Sequence, residues 1–212
     1  MDLNTLLLAV PAILVALTFH EYAHAYVAYR LGDPTAKYMG RLTLNPLAHL
    51  DPMGTIMIFL IHFGWAKPVP VDPRHLTHPR RDMMWISAAG PLMNMVLALV
   101  SGIAIRIFIA LGYGHAYPGS TVALVFQMLY FSMYINLALA FFNLLPIPPL
   151  DGSKIFAGFL PRKYDATLYM LETRGPMILF GVIMFGWLTG FHVLGFVIGP
   201  FINFFSGLFG GV

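Results

Sequence analysis

The chain has 212 residues, of which 58% are hydrophobic and 10% charged, against about a quarter charged in soluble domains. That balance and a mean hydropathy of +0.76 exclude a soluble globular domain and make lipid the solvent for much of the chain. The formal net charge is only +3 and cysteine is absent, which excludes disulfides and thiolate ligands and leaves His, Asp and Glu to bind any transition metal.

The first apolar run, Leu3–Tyr29, predicts a membrane helix. It lacks a basic start, follows Asp2 directly and exceeds the apolar region of a signal peptide, so it reads as retained rather than cleaved. The next run, Met53–Phe63, is too short to cross a hydrocarbon layer of ~30 Å as a straight helix. It is followed by Gly64-Trp65 and the alternating Lys67-Pro68-Val69-Pro70-Val71. This stretch predicts a re-entrant or β-hairpin element buried against protein, the setting in which irregular backbone at membrane depth is tolerated. Met83–Leu111 and Thr121–Leu145 predict two further long spans, and Met177–Thr189 and His192–Phe209 two shorter, Gly-rich ones. The expected fold is therefore an all-α polytopic membrane protein of about five to six transmembrane helices, with seven still open. It forms one membrane-embedded domain over 1–212, with a catalytic core at about 3–160 and accessory helices at about 175–210.

The cations sort by loop. Arg30, Lys37, Arg41, Lys67, Arg74, Arg80 and Arg81 lie between the first two long spans, and Lys154, Arg162, Lys163 and Arg174 follow the third. The loop Gly112–Ser120 has neither Lys nor Arg. By the positive-inside rule both basic stretches are cytoplasmic and the amino terminus is outside, in a plasma or inner membrane. This topology explains the pI near 9.2 without invoking nucleic acid.

Within the first span, His20-Glu21-Tyr22-Ala23-His24 forms an HExxH pattern. Positions i and i+4 share a helix face, so both imidazoles reach one cation, and Glu21 is placed to take a proton from water polarised by that ion. Glu21 lies about nine residues before Arg30, roughly 13 Å along the helix. Ionisable groups at that depth cost on the order of 2.5–3.5 kcal/mol each, so three of them within little more than a turn need a shared purpose such as a metal. A catalytic zinc takes three protein ligands and leaves a fourth position for water. The third candidate is Asp151, at the end of Asn143-Leu-Leu-Pro-Ile-Pro-Pro-Leu-Asp151-Gly152. Pro146, Pro148 and Pro149 cannot continue a regular helix, and unwound backbone at membrane depth should line a cavity. Two alternatives stand beside it: Asp151 caps a helix beginning near Ser153, or Glu172 supplies the third carboxylate.

These residues resemble the site-2 protease family of intramembrane zinc metalloproteases. The resemblance rests on Phe19-His-Glu-Tyr-Ala-His24, on Asn143–Gly152 in the form NxxPxPPLDG, and on Gly90-Pro91-Leu92-Met93-Asn94, in that family's order over about residues 5 to 190. It implies His20, His24 and Asp151 as ligands of one Zn2+ per chain and Glu21 as catalytic base. It also implies cleavage of transmembrane protein substrates near the cytosolic face, and a membrane-associated segment at Phe63–Val71. Asn94 would face the site and donate to the substrate carbonyl or its oxyanion, or serve as an interhelical hydrogen bond beside Ala88, Ala89 and Gly90. Asn143 would position the unwound segment or substrate. The chain departs from better-known members in lacking room for a PDZ-like or CBS-type domain and a helix before the HExxH span.

The expected activity is zinc endopeptidase cleavage of transmembrane proteins, with the lipid bilayer as the other partner. The alternative is a zinc-binding transporter or scaffold without protease activity. His49, His62, His75, His78, His115 and His192 share no ligand spacing, and Arg106 inside the second long span should snorkel or pair internally.

Overall fold

The computed structural model describes residues 3–61, 64–115 and 119–211. The chain folds into α1 (Leu3–Arg30), α2 (Thr35–Tyr38), α3 (Pro52–Ile61), α4 (Pro79–Ala110), α5 (Thr121–Asn143), α6 (Asp151–Phe159), α7 (Asp165–Thr189) and α8 (Val193–Gly210), with no strand among the described residues. Five of these helices, α1, α4, α5, α7 and α8, are long and apolar enough to cross a membrane.

α1, α4 and α5 pack against one another as a three-helix core; α6 lies along α4, and α8 leans on α4 and α5. Half of the apolar window of α1 is buried inside the protein, against 11% for α7 and α8, so the helix bearing HExxH is the innermost. Its buried positions include Ala9, Ala12, Ala16, Ala23, Ala25 and Ala28, small residues that let neighbouring backbones approach closely on more than one side. α4 shows the two-sidedness of a helix between protein and lipid. Leu92, Val96, Val100, Ile103 and Ile107 are exposed on one face, while Asn94, Ala98, Ser101 and Ile105 are buried on the other. Ala98 and Ile105 join Met133 and Leu137 of α5 and Ile202 of α8 in the main apolar cluster.

Arg106 pairs internally. Its guanidinium donates to the carbonyls of Phe209 (2.7 Å), Leu208 (2.8 Å) and Gly207 (3.2 Å). These belong to the last turn of α8, where the helix leaves most carbonyls without a partner of its own, and Gly207 O is shared with the Gly211 amide at 3.1 Å.

The helices differ from the sequence expectation at their charged ends. α4 begins at Pro79 rather than near Met83, because Pro at the first position and a charged first turn suit a helix start although they do not read as apolar. α7 begins at Asp165 and runs through Glu172, Arg174 and Pro176, where the sequence expectation starts a span at Met177. Proline is tolerated in membrane helices when neighbours satisfy the freed backbone, and bare Gly175 rests against Pro148.

The two ends of the stretch expected to be re-entrant lie side by side. Leu50 and Ala66 form an isolated antiparallel bridge, and Lys67 N donates to His49 O at 2.9 Å, with α3 between them. Among the described residues the hairpin component is that bridge alone. The end of the Met53–Phe63 run, together with His62, lies outside the described residues.

Candidate metal centre

His20 and His24 project from one face of α1 and are 5% and 7% exposed. Their rings stand edge to face, with centroids 4.6 Å apart. The two Nε2 atoms are 3.0 Å apart, and each lies 3.2 Å from Asp151 Oδ2. Among the described residues, this is the one group of three metal-competent side chains that converges on a point.

The protonation pattern follows from the neighbours. His24 Nδ1 lies 2.6 Å from the Ile86 carbonyl, which can only accept, so Nδ1 carries the proton. His20 Nδ1 lies 2.6 Å from Asn94 Oδ1. The Asn94 amide is oriented by its other contacts: its Nδ2 donates to Ala16 O at 3.1 Å and to Asn136 Oδ1 at 2.8 Å. Asn136 is oriented in turn by donating from Nδ2 to Ser132 O at 2.8 Å. His20 therefore also carries its proton on Nδ1, and in the neutral rings both Nε2 atoms present lone pairs toward a carboxylate oxygen. Three acceptors this close repel one another unless a cation lies between them. Donors about 2.0–2.1 Å from one tetrahedral zinc lie roughly 3.3 Å apart, so the triangle suits that ion.

α4 closes the back of the site through Gly90. A Cβ built there would fall 2.4 Å from His24 Nε2 and 2.6 Å from His20 Cε1, so only glycine lets α4 pass this close. Asn94, one turn further on, has both amide donors and its carbonyl oxygen engaged within the protein.

Asp151 arrives through the break that the prolines impose after α5, which contains a cis peptide between Pro148 and Pro149. It occupies the first turn of α6, whose N-cap is Leu150, with no side-chain cap hydrogen bond. Gly152 permits the return, since a Cβ there would lie 2.2 Å from Leu144 O. Glu172 is exposed on α7 and stands outside the converging group.

Glu21 is 7% exposed, and its Oε2 accepts from Val69 N at 3.1 Å. The segment carrying Val69 is clamped by Arg41, which donates to Pro68 O at 3.1 Å and Lys67 O at 2.5 Å. Burial pushes the Arg41 guanidinium below its ordinary value, with the charge of Glu21 working against that. His49, 1% exposed, sits beneath the clamp, with Nε2 2.8 Å from Thr43 O. Neither Arg41, His49 nor Asn136 stood out in the sequence, because none belongs to a local motif.

His20, Glu21 and Asn143 sit where two cavities meet. One, of about 410 Å³, is apolar and runs past Leu17, Leu139, Phe142 and Phe180. The other, of about 150 Å³, holds His24, Asp151, Val69 and Lys154. Asn143 donates from Nδ2 to Leu139 O at 3.0 Å and lines both.

The remaining histidines serve other ends. His75 Nδ1 lies 3.1 Å from Asp33 Oδ1. Asp33 is fully buried and also accepts from the Asp72 amide at 2.8 Å and from Thr35. Burial pushes its carboxyl up, but the bonds from Thr35, Asp72 and His75 outweigh that and hold it below its ordinary value. His78 is the N-cap of α4, His192 that of α8, and His115 closes a short turn.

Comparison with known proteins gives consistent relatives. The profile of Peptidase family M50 matches residues 107–180. "Putative zinc metalloprotease YwhC" of Bacillus subtilis (strain 168) is 43% identical over 186 residues, covering 86% of this chain and 81% of that protein. "Putative zinc metalloprotease Rip2" of Mycobacterium tuberculosis (strain Erdman) is 33% identical over 190 residues, covering 84% of this chain and 68% of that protein. "Putative zinc metalloprotease MJ0611" of Methanocaldococcus jannaschii is 46% identical over 142 residues, covering 65% and 62%. No solved structure gives a significant match.

Proposed function

The chain belongs to peptidase family M50, the site-2 protease family, and we propose that it cuts transmembrane proteins within the bilayer, near the cytosolic face. Its class is membrane zinc metalloprotease. His20, His24 and Asp151 hold one Zn2+ per chain, Glu21 is the base, the basic loops face the cytosol, and the amino terminus is outside. The observation that carries this reading is the convergence of two imidazole Nε2 atoms and one carboxylate oxygen within 3.0–3.2 Å.

When bound, zinc supplies Lewis acidity toward a peptide carbonyl and makes a nearby water more acidic. The rest falls to the chain's own side chains. A substrate helix enters the apolar cavity between α1, α5 and α7 and unwinds there, because a helical peptide bond is shielded and its carbonyl engaged. Its extended backbone lies along residues 67–71, the segment that Arg41 holds beside Glu21. The Glu21 carboxylate takes the proton from water and delivers it to the leaving amine nitrogen. Asn94 orients His20, its donors being committed to Ala16 and Asn136, and Asn143 is the polar group that meets substrate.

The rival reading is a zinc transporter or scaffold, for which Glu21 has no use. Glu21→Gln separates the two. Loss of cleavage of a reconstituted transmembrane substrate, with zinc retained, supports the protease; unchanged cleavage removes Glu21 as the base.

A further inference from the structure

At 32 residues, α4 is about 48 Å long at 1.5 Å per residue, well beyond the ~30 Å hydrocarbon layer. Its amino-terminal turns therefore stand at headgroup level, where exposed Trp85 suits the interface. There Arg80 and Arg81 from the first turn and Arg162 from the turn after α6 surround a surface cavity of about 520 Å³, lined also by Thr77, His78, Pro79 and Gly158. Among the described residues no carboxylate lines it.

Nearby acids leave these guanidiniums only partly compensated. Arg80 Nη1 is paired with Asp165 at 2.9 Å, Nε donates to Ala157 O at 2.9 Å and Nη2 is shut off from solvent, so the donors open to the cavity are those of exposed Arg81 and Arg162. Asp82 accepts from the His78 amide at 2.8 Å, and Arg81 Nε is 3.6 Å from its other oxygen, too far for a normal hydrogen bond. A helix start adds partial positive charge and free amides, and arginine forks match phosphate oxygens. We propose that this cavity seats the phosphate of an anionic phospholipid headgroup, as basic pockets between membrane helices do.

The seat joins two elements that build the metal centre. Arg80 is bonded to Ala157 near the end of α6, the helix that starts with Asp151. α4 carries the Ile86 carbonyl, Gly90 and Asn94. A phosphate bridging Arg81 and Arg162 fastens the turn after α6 to α4 beside Arg80. The inference needs only that the chain lies in a bilayer and stands apart from the proteolysis reading.

The test uses the full chain purified in detergent and titrated separately with phosphatidylglycerol, phosphatidylcholine and inorganic phosphate. Binding is followed by native mass spectrometry and by the melting midpoint. Phosphatidylglycerol should bind the wild type and raise its midpoint. It should bind the Arg81→Gln/Arg162→Gln variant about 30-fold more weakly, the factor for two basic residues at about 1 kcal/mol each. Arg81→Lys/Arg162→Lys keeps the charge and should keep most of the binding, which separates charge from misfolding. Equal phosphatidylglycerol binding by wild type and the Gln variant overturns the proposal, as does equally tight phosphatidylcholine. Inorganic phosphate stabilising the wild type as much as phosphatidylglycerol assigns the seat to free phosphate and overturns the lipid source.

Discussion

Asn94 Oδ1 lies 2.6 Å from His20 Nδ1, and this contact decides which imidazole nitrogen of His20 faces Asp151. It makes a helix that carries no ligand a determinant of ligand geometry. The chain continues through Asn136 to Ser132 O, so three helices take part in orienting one imidazole.

Asn94→Ala should weaken zinc affinity roughly 10- to 100-fold, the usual cost of losing a group that orients a metal-binding histidine. Asn136→Leu, one step further out, should weaken it by about tenfold on the same basis. Ser101→Ala removes an interhelical contact of 2.8 Å to the Ser132 hydroxyl, not to the Ser132 carbonyl that holds Asn136, and should leave affinity unchanged. Chelator competition checks all three; wild-type affinity in Asn94→Ala means His20 is oriented by something else.

Gly90→Ala should abolish metal binding while leaving the helices formed. The added Cβ would lie 2.4 Å from His24 Nε2, closer than any real contact, and it enters the space between the imidazoles and α4. Circular dichroism reads the helices and metal analysis the site. Full zinc content in this variant would mean that α4 shifts to accommodate the methyl group.

Arg41→Gln should separate metal binding from activity. Arg41 donates to the carbonyls of Lys67 and Pro68 but touches no member of the metal group. Its loss frees the segment that presents the Val69 amide to Glu21, so cleavage should fall by about 10- to 100-fold, as misplacement near 1 Å does. Zinc content should hold. A parallel loss of zinc would show that the clamp supports the whole site.

The Asp33 carboxyl makes the connection between α1 and α4 sensitive to acid. Its folded-state value is lowered from the ordinary 3.8, so its stabilisation is complete above that value and disappears as pH falls through the lowered one. Asp33→Asn should lose about 1–3 kcal/mol at neutral pH by leaving buried partners unsatisfied, and its acid limb should be flatter. Melting midpoints of both proteins between neutral pH and pH 3 check this; parallel acid limbs would remove Asp33 as the titrating group.

Much of the site was legible because its ligands sit in local patterns. His20 and His24 share a helix face through their spacing, and the prolines before Asp151 announce a break whatever surrounds it. The role of Gly90 was not legible: GPxxN reads as a motif, but the reason for its glycine is a contact with His20 and His24 on another helix. Asn136 and Arg41 act across tens of residues and leave no periodic signal. The apolar run at Met177–Thr189 marks only the later part of α7, because the helix begins at Asp165 in a more polar stretch that carries no long apolar run.

The measurement that tests the central claim most directly is zinc stoichiometry of the purified protein, wild type beside Asp151→Ala. The account predicts one zinc per wild-type chain, lost or sharply weakened in the variant, because Asp151 Oδ2 stands 3.2 Å from both imidazole Nε2 atoms. Full zinc retention in Asp151→Ala would contradict it and place the third ligand elsewhere.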